Sequence, residues 1–142
     1  MKKRIAILLP YKEKYTLSDA AAASIWVKDY LKKSHLNNQT IVFGNLPPYK
    51  RPITNNFINI NLGDVGVKKN YFYTKKFLNN YEKFKFEIVE IHNRPESLVF
   101  LLKKKLNCKF IFVYHNNPRD LRFSKTVKER LFIANNCDQI FF

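Results

Sequence analysis

Apolar and polar positions along this chain follow two periods, and the switches between them mark out the elements. Arg4–Leu9 is a continuous apolar run after its first residue, the pattern of a strand covered on both faces. Ala20, Ala23, Val27, Tyr30 and Leu31 then recur at helical spacing, with Lys28, Asp29, Lys32 and Lys33 off the stripe. This predicts a helix running to about Ser34, with Ser18 or Asp19 as its cap and Trp26 and Tyr30 in the core. Thr40–Phe43 reads as a second strand, and Gly44–Asn56, with Pro47, Pro48 and Pro52, as a loop. In Phe57–Leu62, Ile58, Ile60 and Leu62 alternate with Asn59 and Asn61, the pattern of a strand near a sheet edge.

The second half repeats the alternation. Tyr73, Phe77, Tyr81 and Phe84 give Lys69–Phe84 a helical period, and Phe86–Ile91 is a strand that ends at His92-Asn93-Arg94. Pro95 opens a helix to about Leu106, with Leu98, Leu101, Leu102 and Leu106 inward. Phe110–Tyr114 is a buried strand ending at His115-Asn116-Asn117-Pro118. Thr126 and Glu129 have capping-box spacing for a helix through about Asn136, and Asp138–Phe142 begins a last strand. Strands and helices in this order predict an α/β, Rossmann-like doubly wound fold. Its mostly parallel six-stranded sheet has the order 3-2-1-4-5-6, with helices on both faces. The 142 residues fit one domain. The apolar ending Gln139-Ile140-Phe141-Phe142 reads as the first half of a longer protein.

Composition narrows the class. Hydrophobic residues make up 46% and aromatics 15%, enough for a core, and two cysteines cannot staple a secreted scaffold. No apolar run approaches the length of a bilayer crossing. Met1–Arg4 with Ile5–Pro10 imitates a signal peptide, but the apolar stretch is short and Tyr11-Lys12-Glu13-Lys14 replaces a cleavage site. The expected location is therefore cytoplasmic, with a peripheral place at the inner membrane face as an extension. The net charge is +15. It comes from 20 Lys and only 6 Arg, beside 16 Asn, a joint excess that an AT-rich coding sequence produces. Lysine pairs such as Lys32-Lys33, Lys68-Lys69 and Lys75-Lys76, and the triplet Lys103–Lys105, read first as solvated helix faces. An anionic membrane surface comes second as a partner and nucleic acid last.

In open parallel sheets ligands bind outside the carboxyl ends of the strands. That edge carries Pro10–Leu17, His92–Glu96 and His115–Arg122. Both later turns begin with His-Asn and soon include an arginine and a carboxylate: Arg94 and Glu96, then Arg119 and Asp120. Asparagine and arginine offer fixed-geometry donors to hydroxyl and phosphate groups, and histidine suits proton transfer near neutral pH. The competing reading is that these residues only cap helices and make turns. Other chemistries fail on spacing. Cys108 and His115 lie at opposite ends of one strand, Cys137 shares the distal edge with Cys108, and His35 reads as a solvated loop residue. No zinc spacing, GxGxxG or Walker loop occurs, so no metal and no cofactor are expected.

Val89–Glu96 with its His-Asn-Arg-Pro turn, Phe110–Pro118 with its His-Asn ending, Ser124–Ala134 and Asp138–Phe142 together resemble the N-terminal domain of family 4 retaining glycosyltransferases of the GT-B fold. The chain departs from that family at Asp19-Ala20-Ala21, where two glycines are usual. The resemblance implies the acceptor-side half of an enzyme that moves a sugar from a nucleotide-sugar to a cell-surface polysaccharide or lipid-linked glycan. The donor would be held by a second domain, which this sequence does not contain. It also implies His115 as the catalytic contact, with His92, Asn93, Arg94, Glu96, Asn116 and Arg119 binding substrate. A rival from another class is a non-catalytic basic α/β module that holds phosphate-bearing ligands or nucleic acid.

Overall fold

A computed structural model describes residues 2–142. Six strands, β1 (Ile5–Leu8), β2 (Thr40–Gly44), β3 (Phe57–Asn59), β4 (Ile88–His92), β5 (Lys109–Val113) and β6 (Gln139–Phe141), form one sheet in the order β3-β2-β1-β4-β5-β6. Every neighbouring pair is parallel. The helices are α1 (Ala22–Lys33), α2 (Lys69–Phe84), α3 (Pro95–Leu102) and α4 (Val127–Asn136). The Rossmann-like doubly wound arrangement and its strand order are those the periodicity predicts.

Alternation along β1 sends its side chains into two separate cores. Ile5, Ile7 and Leu9 pack with Ala23, Val27 and Leu31 of α1. Ala6 and Leu8 pack on the other face with Tyr73, Phe77 and Tyr81 of α2, Leu98 and Leu101 of α3 and Ile133 of α4. The turn direction of parallel crossovers explains this split. The β1–α1–β2 unit moves leftward across the sheet and the three later units move rightward, so right-handed connections place α1 alone on its face.

That isolation has a consequence for Trp26. Expected in the core, it is 37% exposed, because no second helix packs beside α1 to cover its flank. It stacks on Tyr30 with ring centroids 5.5 Å apart.

The start of α1 also differs from expectation. Its cap position is Ala21, with no side-chain cap. Asp19 is drawn instead into a turn, accepting from Thr16 Oγ1 at 3.2 Å and pairing with Lys50 at 3.2 Å. Glu13 takes over the helix end from the preceding loop, accepting from the Ser24 backbone N–H at 2.5 Å and from its hydroxyl at 2.7 Å. The helix after Pro95 ends at Leu102, four residues early, where Lys103–Lys105 turn with Lys105 in the left-handed region. The capping box is present as expected: Thr126 and Glu129 bond each other's backbone N–H.

Among the described residues no helix is long and apolar enough to cross a membrane.

Candidate functional site at the carboxyl edge of the sheet

The strand ends at β4 and β5 are stitched together by Asn93. Its backbone sits in the left-handed region at φ 53°, which asparagine tolerates better than most residues. Its N–H donates to Val113 O at 2.9 Å, and its side-chain oxygen accepts from the N–H groups of His115 and Asn116 at 3.3 and 3.2 Å. Its amide group donates to the Asn116 side chain at 2.8 Å. The two His-Asn turns are thus one clip, and Asn93 spends its polar groups on holding it.

The clip places the histidines together on the carboxyl edge. His92 Nδ1 lies 2.8 Å from His115 Nε2, and the rings stack with centroids 5.1 Å apart. The strand boundary matters here. The expected strand stops at Ile91, leaving His92 as the first residue of an open turn. The structure makes His92 the last residue of β4, so the alternation that turns Val89 and Ile91 toward α2 and α3 turns His92 toward α1. Its ring is fully buried, with the edge of Trp26 against it at 5.2 Å. His92 therefore cannot itself touch a ligand; it reaches one only through His115, which is half-buried.

Two residues before His92, on the same face, stands Glu90. It is 6% exposed, and its carboxylate lies 2.6 Å from His92 Nε2. The three groups form a line: carboxylate, imidazole, imidazole. Each histidine nitrogen donates or accepts according to its tautomer, and His115 Nδ1 is the one ring nitrogen of the line left free for a ligand. Burial, followed by the neighbouring His92, holds His115 below the ordinary imidazole range, while Glu13 and Glu90 oppose that shift. Near neutral pH the His115 ring is therefore neutral.

The other expected residues are spread around this line. Arg94 precedes α3, donates to Asn93 O at 3.2 Å and lies over the Tyr11 ring at 5.9 Å. Glu96 sits in the first turn of α3, 3.9 Å from Arg122. Asn116 is exposed at the clip. Arg119 is exposed in a short 3-10 turn, with its backbone N–H on Asn117 Oδ1 at 3.0 Å. Arg122, three residues on, lines a cavity of about 660 Å³ between the β1 loop, the start of α2, α3 and the segment after β5. Arg94 and Glu96 line that cavity too.

Sequence reasoning missed Glu90, Glu13 and the cavity-lining role of Lys68, Lys69 and Lys103. For Glu90 a signal existed: a carboxylate inside an otherwise apolar strand, two residues before a histidine, must share its face.

Cys108 and Cys137 precede β5 and β6 at the opposite edge, as expected, and both are free. The carboxylate and imidazoles lie in a row, and among the described residues no group of three His, Cys, Asp or Glu side chains is placed around a common centre that could hold a metal ion. Compared with family models, curated proteins and solved structures, the chain matches none.

Proposed function

We propose that this chain is the acceptor-side half of a retaining glycosyltransferase that moves a sugar from a nucleotide-sugar to a cell-surface or lipid-linked glycan. One observation carries the reading: the Glu90–His92–His115 line ends in a half-buried imidazole at the carboxyl edge of a 3-2-1-4-5-6 sheet, where such folds bind ligands. Neutral His115 accepts a hydrogen bond from a sugar hydroxyl at Nδ1, takes its proton and passes it to an oxygen that gains charge during transfer. His92 and Glu90 hold that ring and its tautomer. Asn93 fixes the clip, and Asn116, Arg94, Glu96 and Arg119 supply polar groups around it. The His-Asn-Arg-Pro turn and the later His-Asn turn, at the edge where the resembling family places them, support the same reading. The resembling family holds its donor on a second domain, and an anionic membrane bearing the acceptor suits the +15 charge.

The test is sugar transfer from a panel of nucleotide-sugars to membrane extract. It compares the 142-residue chain with the product of its uninterrupted reading frame. Transfer by the longer product only, abolished by His115→Ala, is the expected result. Absence of transfer by both, or transfer indifferent to His115→Ala, overturns the reading in favour of a non-catalytic module.

A further inference from the structure

The cavity beside the clip is charged in a way that the fold does not need. Six cations line it, Lys12, Lys68, Lys69, Arg94, Lys103 and Arg122, against two carboxylates, Glu96 and Asp120. One carboxylate is already engaged, since Glu96 faces Arg122 at 3.9 Å. Among the described residues the other five cations have no carboxylate within 4.0 Å. These residues come from four separate segments, so the cluster is made by the fold and not by one lysine-rich stretch.

A further feature points the same way. The cavity meets the start of α2, where Lys68 holds the cap position and Lys69 the first turn, with no acidic residue and no side-chain cap. Cations at the positive end of a 16-residue helix oppose its dipole, and no side chain caps its first N–H groups, an arrangement that an anion relieves. Apolar rings complete the wall: Tyr71 and Phe123 are 45% and 40% exposed, and Tyr71 meets Phe100 edge-on at 5.6 Å.

We infer that this cavity is a binding site for a phosphate ester, with its phosphate or diphosphate among Lys68, Lys69, Lys103 and Arg94 and its ring or chain against Tyr71, Phe100 and Phe123. A single carboxylate would leave most of the positive charge unanswered, whereas a phosphate carries up to two charges and a diphosphate more. Lysines suit such a group as point charges and Arg94 as a planar fork. The inference is independent of sugar transfer, because it concerns binding by this chain alone.

The experiment is calorimetric titration of the chain with inorganic pyrophosphate at low salt. Lys68→Glu/Lys69→Glu is compared with Lys32→Glu/Lys33→Glu, which makes the same charge change on α1. The expected result is binding weakened at least about tenfold by the first pair and less than about twofold by the second. Lys103→Glu, on the far wall, should weaken it as well, which keeps the test decisive if the α2 pair fails to fold by circular dichroism. No binding by the unmodified chain, or equal weakening by the α1 and α2 pairs, overturns the site.

Vesicles of phosphatidylcholine doped with phosphatidic acid separate the sources. Binding that pyrophosphate displaces, and that Lys68→Glu/Lys69→Glu removes, assigns a lipid phosphate. Pyrophosphate binding without such vesicle binding assigns a soluble ester.

Discussion

Removing one end of the buried Glu90–His92 pair should destabilise the fold far more than removing both. The pair is 2.6 Å long, with Glu90 6% exposed and His92 fully buried. Glu90→Met leaves His92 Nε2–H without an acceptor in the core, which costs about 1–3 kcal/mol. His92→Phe leaves a buried carboxylate without its donor, which costs about 3–5 kcal/mol. If the two effects were independent, the double variant would lose about 4–8 kcal/mol, enough to unfold many domains of this size. Replacing both partners with apolar groups of similar volume removes the orphaned polar atoms, so the double variant should lose only about 1–2 kcal/mol. The bond from His92 to His115 is lost equally in His92→Phe and in the double variant, so it cancels from the cycle. Urea unfolding at pH 7, followed by circular dichroism with matched slopes, reads all four proteins. A coupling of at least about 2 kcal/mol is expected. Additivity within about 0.5 kcal/mol would show that Glu90 and His92 do not hold each other, and the Glu90–His92–His115 line would fall with them.

Three further outcomes are open to direct measurement. His115 is depressed below its ordinary 6.5, so between its folded and unfolded values the unfolded chain binds more protons. Its contribution to stability is therefore complete above 6.5 and is lost as pH falls through the folded value; imidazole NMR should show that midpoint below 6.5, and lower still in Glu90→Gln, since Glu90 opposes the depression. Thr126→Ala removes the capping oxygen from the Glu129 N–H and should cost about 1 kcal/mol, read as a fall in Tm of roughly 2–6 °C, while Lys125→Ala next to it should cost much less. Burial pushes the Cys108 thiol up to about 11, so iodoacetamide at pH 8 should alkylate it slowly in the folded chain and rapidly in urea; equal rates would place it outside the packed edge.

The site was less legible in the sequence than the fold, and the reason lies in how each is encoded. The two His-Asn turns could be placed on one edge because parallel strands of known order end on the same side. His115 was therefore placed on the edge where the structure has it. His92 was assigned to the same cleft because the strand boundary was set one residue early. In a period of two, that step is enough to carry a ring from solvent into the core. Glu90 was overlooked because apolar neighbours on both sides made Phe86–Ile91 read as one buried run. The lysines of the cavity were read as solvated pairs, since adjacent cations in a sequence carry no sign of what faces them.

What the sequence determined by itself is the succession of elements, their buried faces and hence the sheet order. Hydrophobic periodicity is a local property, and the handedness of parallel crossovers leaves few ways to assemble the units it specifies. Even the edge character of β3 was visible in Asn59, which the structure leaves exposed, although the strand ends there and not at Leu62 as the alternation predicts. Only the tertiary structure decided which polar groups meet. Glu90 and His92 come from β4 and His115 from the turn after β5, Lys12, Lys69, Arg94 and Arg122 from four segments, and Trp26 shields a histidine 66 positions away because α1 has its face to itself. The environment of a charge is set by atoms across the sheet, and a linear pattern holds no record of them.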